Sequence, residues 1–345
     1  MPKVPFNIPY LTGEEEENIL ISLRSRKHCG NHKFGNLCIE LMKERYKFGE
    51  VFLTPSCTAA LEMGAILVGL NPGDEVILPS FTFSSTANAV VLRGAKPIFC
   101  EIDPQTLNID AAKIEELITD KTKMILPIDY AGIPCEIDTI MKIAKEYNLV
   151  VMHDTAQSYS SLYKGKATGA WTDLAAFSFH ETKNFACGEG GALVVNRPEW
   201  VERCHFLQEK GTDRSLVLRG IKNKYHWVDY GSSFLLSDLL AAQLYAQLKN
   251  EKLITNERSK VTKAYFELYE PYLKKECLKI PTIEPYMNIN HHAFWVQFDS
   301  ESNKDRFLQT LQELNVYAYI GYMPLHSTPM GKKYGYKSED LPITE

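Results

Sequence analysis

The sequence predicts an α/β fold with a mainly parallel central sheet and helices on both faces, followed by a smaller C-terminal α/β unit. Two observations predict it. Short apolar runs alternate with helical stretches from about residue 50 to residue 195, the rhythm that builds parallel sheets. Beyond about 195 long helical stretches take over, and a second short strand–helix–strand pattern follows them. The 345 residues, 45% hydrophobic and 23% charged, suit a globular protein with a large core. At roughly 100–200 residues per domain the length suggests two units. The boundary is placed near residue 250, giving 1–249 as the large unit and 250–345 as the small one.

The elements follow in chain order. Residues 14–26 read as a helix, acidic at its start. Residues 58–70 read as a helix whose first amides face the hydroxyls of Ser56 and Thr58. Glu75 to Pro79 is a short apolar strand, Thr82 to Arg93 a helix and Pro97 to Ile102 a strand. Asp110 to Ile118 reads as an Asp-capped helix. Met124 to Ile128 is a strand, Ile137 to Tyr147 a helix and Leu149 to His153 a strand. Ala175 to Phe179 and Ala192 to Val195 are further strands. Ser233 to Leu248 and Glu251 to Tyr272 are the long helices. His292 to Phe298, Lys304 to Leu314 and Val316 to Tyr319 read as strand, helix and strand.

Composition excludes several classes. Net charge is −5 and no run of Lys and Arg forms a basic stripe, so nucleic acid is not the expected partner. No apolar run reaches the roughly 20 residues of a membrane span, and the start lacks the apolar stretch of a signal peptide, so a cytoplasmic location is expected. The eight cysteines form no Cys-x-x-Cys pair. They read as reduced thiols, and no metal site is expected.

Four segments carry candidate chemistry. Leu149 to Asp154 is an apolar strand ending in a carboxylate, and ligands bind at the carboxyl ends of strands in open α/β sheets. A carboxylate there can pair with a protonated ring nitrogen and keep the ring electron-poor. Ala175 to Phe179 leads into His180-Glu181-Thr182-Lys183-Asn184 and then Gly188-Glu189-Gly190-Gly191. An amine in that turn can form a Schiff base with an aldehyde, more readily where burial lowers its pKa. Thr54 to Leu61 puts small residues at a helix start, where free amides and the dipole favour an anion such as a phosphate. Pro79-Ser80-Phe81-Thr82-Phe83 puts an aromatic side chain after a strand end, placed to stack on a flat ring. Taken singly, each also fits a plainer role: a turn aspartate, a solvated lysine, an ordinary cap, a core phenylalanine. Their order along one alternating α/β region is what joins them.

Ser56-Cys57-Thr58-Ala59-Ala60-Leu61, Pro79 to Phe83, Asp154-Thr155-Ala156-Gln157 and Ser178 to Asn184 together resemble the sugar aminotransferases of the DegT/DnrJ/EryC1/StrS family. The likeness runs from Pro5 to the last residue. It implies the pyridoxal-phosphate (PLP) dependent, aspartate-aminotransferase-like architecture known as fold type I. It implies Lys183 as the Schiff-base lysine and proton carrier, Asp154 as partner of the pyridine nitrogen, and Gln157 near the phenolic oxygen. Thr58, the Ala59 backbone and Ser178 would hold the phosphate. Phe83, rather than Phe81, would stack on the ring. Members of the family are usually homodimers with shared sites, so residues 210–233 would reach a partner's site. Ser233 would stand in for a family asparagine that meets the neighbour's cofactor phosphate, and Arg219 would meet a substrate phosphate; a plain surface charge is the alternative for Arg219.

Leu53 to Thr58, Ser84 to Ala89, Ile128 to Gly132, His180 to Asn184 and Gly231-Ser232-Ser233 resemble one branch, the dTDP-4-amino-4,6-dideoxygalactose transaminases. That likeness implies amino transfer from L-glutamate to C4 of dTDP-4-dehydro-6-deoxyglucose, for a cell-surface polysaccharide such as enterobacterial common antigen or O-antigen. The chain stops at Leu341-Pro342-Ile343-Thr344-Glu345, where relatives continue through further segments of the small unit. The expectation is that the PLP chemistry is encoded while stability or activity is impaired. Three alternatives stay open: a sugar dehydratase of the same fold, against which Lys183 argues; the same chemistry on another nucleotide keto-sugar; and a non-catalytic homologue.

Overall fold

The structure, a computed structural model, describes residues 3–273 and 278–345. In chain order the N-terminal half holds α1 (Glu15–Ser25), α2 (Lys33–Tyr46), β1 (Glu50–Thr54), α3 (Cys57–Val68), β2 (Glu75–Pro79), α4 (Ser84–Val91), β3 (Lys96–Cys100), β4 (Thr122–Ile125), α5 (Ile137–Glu146) and β5 (Val150–Asp154). Two short strands follow, β6 (Leu162–Tyr163) and β7 (Lys166–Ala167), then β8 (Leu174–Ser178) and β9 (Gly191–Val195). Next come α6 (Val201–Gln208), α7 (Arg214–Leu218), α8 (Asp238–Lys249) and α9 (Glu251–Leu273). The chain ends with β10 (Leu278–Lys279), β11 (Met287–Asn288), β12 (Gln297–Phe298), α10 (Glu301–Glu313) and α11 (Pro329–Lys333).

Seven strands form one sheet in the order β1-β9-β8-β5-β4-β2-β3. The four pairings from β8 across to β3 are parallel, while β9 runs antiparallel to both its neighbours, β1 and β8. The central strands are mostly buried, apart from the start of β4, because helices cover both faces. On one face α3 presents an almost wholly apolar surface, with Ala60, Leu61, Met63 and Leu67 against Met152, Leu174 and Leu193. On the other face α2 and α8 bring Phe34, Met42, Ala241 and Leu244 against Val51, Ala175, Phe177 and Val194. Each such Leu or Ile contributes about 1.5–3 kcal/mol when buried.

Most predicted elements are present, and four differ. Asp110 to Ile118 forms two 3-10 turns, Ala111–Lys113 and Glu115–Leu117, with Asp110 accepting from the Ala112 amide. The two apolar anchors, Ala111 and Ile114, lie three residues apart, the 3-10 repeat, and the segment is too short to sustain an α-helix alone. The helix expected from Ser233 begins at Asp238, capped by the Ser237 hydroxyl. Phe234 and Leu236 are buried with Leu235 less so, a period of two, and Ser233 bridges to Glu209 in extended backbone. Of His292 to Phe298 only Gln297–Phe298 pairs, with Leu278–Lys279, because side chains rather than a neighbouring strand take the backbone groups of residues 290–292. Val316 makes an isolated parallel bridge to Val4 instead of starting a strand.

The C-terminal residues pack back on the sheet. Ser80 Oγ and His326 Nδ1 are 2.7 Å apart, and both residues are fully buried. The Tyr336 hydroxyl accepts from the Phe99 amide at 3.0 Å, and the Thr344 hydroxyl donates to Glu101 at 3.1 Å. All seven described cysteines are free thiols, six of them buried; Cys277 lies outside the described residues. Among the described residues, no helix is long and apolar enough to cross a membrane.

Candidate active site

The sheet topology decides where the predicted residues meet. Asp154 ends β5 and Ser178 ends its parallel neighbour β8, with Asp154 in register with Ala176. The turn carrying Lys183 leaves β8 on that same edge. Ser178 also pairs with Gly191, the first residue of β9. A Cβ on Gly191 would lie 2.4 Å from the Ser56 carbonyl carbon and 2.5 Å from the Cys57 nitrogen, so glycine lets β9 pass directly beneath the start of α3. The glycine-rich segment after Lys183 thus brings the helix start and the lysine turn together.

Asp154 is 7% exposed. Its Oδ2 accepts from the Thr86 hydroxyl at 2.8 Å and its Oδ1 from the Ala156 amide at 3.1 Å. Burial pushes its pKa up, and the Thr86 bond, the Ala156 amide and the Lys183 ammonium oppose that rise. Burial holds the Lys183 amine below its usual range, with Cys57 and Asp154 pulling the other way. A buried carboxylate and a partly buried amine therefore share one site, each driven toward its neutral form. At the start of α3 the Ser56 hydroxyl caps the Ala59 amide at 3.1 Å. The Thr58 hydroxyl lies 2.8 Å from that of Ser85, at the start of α4. Two helix starts and three hydroxyls, Thr58, Ser85 and Ser178, gather at this edge.

Over them lie aromatic rings. Phe83 is 57% exposed and sits 6.0 Å from Tyr322, while Phe81 packs on Tyr130 at 4.9 Å. The amide of Gln157 donates to the Tyr322 hydroxyl at 2.8 Å, and its oxygen accepts from the Ala131 amide at 2.6 Å. Thr58, Ala59, Phe83, Asp154, Gln157, Ser178 and Lys183 are thus linked around one edge of the sheet. Arg219 and Ser233 are not. Arg219 is exposed and stands 3.6 Å from Glu202, and Ser233 is exposed beside Glu209.

The site also holds residues that sequence reading did not assign. Thr86 lies in the first turn of α4, and its Ser-Ser-Thr setting signals only a helix start. Tyr322 lies in a stretch without periodicity. Asn184 and His292, whose ring nitrogen Nδ1 is 2.9 Å from Asn184 Oδ1, meet across 108 positions of sequence.

The donor set fits pyridoxal phosphate. The buried Asp154 carboxylate gains from a cationic ring nitrogen, which offsets the desolvation that raises its pKa. The low-pKa amine of Lys183 suits an aldehyde. The start of α3, with Thr58 and Ser178, suits a phosphate, although the Ala59 amide expected to hold it is taken by the Ser56 hydroxyl.

Comparison with known proteins agrees with this geometry. Residues 41–345 match the model of the DegT/DnrJ/EryC1/StrS aminotransferase family. The chain is 31% identical to the spore coat polysaccharide biosynthesis protein SpsC of Bacillus subtilis, over 98% of this chain and 88% of that protein. It is 29% identical to a GDP-perosamine synthase of Caulobacter vibrioides, over 100% of this chain and 91% of the other. Among solved structures, the aminotransferase TlmJ of Streptoalloteichus hindustanus superposes with a TM-score of 0.90 at 26% identity, covering 99% of this chain and 90% of that one. Sheet, site and likeness agree: the chain belongs to the DegT/DnrJ/EryC1/StrS aminotransferase family, sugar aminotransferases of fold type I with pyridoxal phosphate as cofactor.

Proposed function

We propose that the chain transfers the amino group of L-glutamate to C4 of dTDP-4-dehydro-6-deoxy-D-glucose, giving dTDP-4-amino-4,6-dideoxy-D-galactose and 2-oxoglutarate for a cell-surface polysaccharide. The observation that carries the chemistry is the placing of buried Asp154 at the end of β5 and of partly buried Lys183 in the turn after its parallel neighbour β8, each driven toward its neutral form. Segment likeness within the family carries the choice of sugar. Pyridoxal phosphate, when bound, withdraws electrons from the reacting carbon and carries nitrogen from one substrate to the other. Lys183 Nζ would hold the cofactor through its aldehyde carbon and, once a substrate amine has displaced it, would be the free base that takes and returns the proton at the reacting carbon. Asp154 holds a proton on the ring nitrogen, and Thr86 keeps that carboxylate in place. Thr58, the start of α3 and Ser178 would hold the phosphate, Phe83 would cover the ring, and Gln157 would bond its phenolic oxygen.

The active form in this reading is a homodimer with shared sites. Leu218, Ile221, Tyr225, Trp227 and Tyr230 are each more than half exposed in the single chain, a continuous sequence stretch suited to burial against a second copy. Arg219 lies within that stretch and Ser233 just after it, and in this reading both serve the partner's site. A second reading, the same chemistry on a GDP-linked keto-sugar, is favoured by the full-length likeness to GDP-perosamine synthase.

The test is to incubate purified protein with pyridoxal phosphate, glutamate and a panel of dTDP- and GDP-linked keto-sugars, and to identify the amino sugar by mass and NMR. A 4-amino product of galacto configuration on dTDP is expected. A product only on GDP moves the assignment to the second reading, and no transfer of nitrogen to any sugar overturns both.

A further inference from the structure

One segment outside the predicted site residues ties three loops of the site together. Asn290 is 1% exposed. Its side-chain amide donates to the carbonyls of Gln157 at 2.8 Å and Tyr159 at 2.9 Å, in the loop after β5. Its own carbonyl accepts from the Asn184 side chain at 2.7 Å, in the lysine turn after β8. In the loop after β4, Gly132 makes room for it: a Cβ there would stand 2.0 Å from Asn290 Oδ1, and the glycine has φ +84°. From outside, the Arg258 guanidinium of α9 donates to the carbonyls of His291 at 3.1 Å and His292 at 2.7 Å. Residues 290–292 are thus a strap, pinned by α9 and holding the loops that carry Asp154, Gln157 and Lys183.

The strap ends in one contact beside the lysine. The Asn184 side-chain nitrogen is committed to the Asn290 carbonyl, so its oxygen faces His292. A carboxamide oxygen only accepts, so His292 Nδ1 carries the proton in this bond and Nε2 keeps the lone pair of the neutral ring. Burial, then the nearby Lys183 ammonium and Arg258 guanidinium, hold His292 well below the usual histidine range, so the ring is neutral at neutral pH.

We infer that His292 is a positioning residue for Lys183: through Asn184 it locks the turn that carries the amine, and its ring fills space beside that turn and limits water there. This rests on Lys183 being the lysine that bonds the cofactor. The charged and titratable groups facing Lys183 are Cys57 from α3, Asp154 from β5 and His292 from the strap. Those facing His292 are Lys183 and Arg258. The partly exposed His180 and exposed Glu189, 3.6 Å apart, sit on the same turn. Removing the imidazole admits water, the amine holds its proton to higher pH, and less of it is free base at neutral pH.

The test mixes pyridoxal phosphate with the full-length apoprotein as wild type, H292A, H292N, N184A, the H292A/N184A double variant and K183A. The rate at which the visible band of lysine-bound cofactor appears is followed across pH, with borohydride trapping to confirm the bond. Asparagine places an amide donor close to where Nδ1 stands. H292A and N184A are expected to slow capture about tenfold at neutral pH and to move the midpoint of the rate profile up by about one unit. The double variant moves it no further, and H292N restores it. An H292A midpoint equal to wild type overturns the inference even if the melting temperature falls, as does an H292N midpoint as displaced as that of H292A. A band that survives in K183A defeats the assignment of Lys183 itself. A band lost in K183A beside an unmoved H292A midpoint defeats only the role of His292.

Discussion

At the scale of single residues, burial sets the chemistry. Asp154 and Lys183 share a low-dielectric site, and the hydrogen bonds around Asp154 decide how far it stays ionised. The Thr86 hydroxyl works against the desolvation that raises Asp154, so T86V removes an opposing contribution and raises that carboxyl further. The ionised form then survives only at higher pH, and the acid limb of the activity profile should shift upward; an unmoved limb would remove Thr86 from the site. In the proposed reading, D154N would leave the ring nitrogen without its anion and should lower turnover by about 10²–10³-fold, the scale of losing one preorganised electrostatic group, with the product still formed at saturating substrate. The places of Asp154 and Lys183 in the fold were legible in the sequence because Asp154 ends an apolar strand and Lys183 follows one. Thr86 was not, because its role depends on where α4 lies relative to β5.

Helices and turns set the framework on which those residues sit. The start of α3 forms from small residues and the Ser56 cap, and it meets β9 at Gly191 with no room for a side chain. G191A should therefore destabilise the fold by about 1–3 kcal/mol, the usual cost of overpacking, and weaken cofactor binding more than other alanine substitutions in β9. Urea denaturation and a cofactor titration measure both, and unchanged values would show that β9 can shift away. At α8 the Ser237 hydroxyl accepts from the Leu240 amide at 3.4 Å, so S237A should cost about 0.5–2 kcal/mol. Sequence signals located α3, because its cap and apolar run coincide. They placed the start of α8 too early, since Phe234 and Leu236 extend the apolar character upstream with a strand's period of two rather than a helix's.

Across the whole molecule, contacts distant in sequence join the C-terminal segment to the large sheet. The Tyr336 ring packs 5.0 Å from Phe99 and its hydroxyl takes the Phe99 amide, an edge group of β3. Y336A should lower stability by about 1–3 kcal/mol, read as a drop in the urea midpoint with little change in slope. A variant that unfolds at the wild-type midpoint would mean that this segment is held elsewhere. Tyr322, from the same end of the chain, reaches Gln157 across 165 positions. Neither pairing leaves a local pattern, so neither was readable beforehand.

The sequence alone determined the alternating α/β architecture, the strand ends that carry Asp154 and Lys183, and the small-residue helix start. These follow from hydrophobic periodicity, caps and glycines, all of which act over a few neighbouring residues. Tertiary structure alone decided strand order, the antiparallel place of β9 beneath α3, and the strap from Asn290 to His292 across three loops. Those depend on which distant surfaces fit when the chain closes, a condition that no short window of sequence contains.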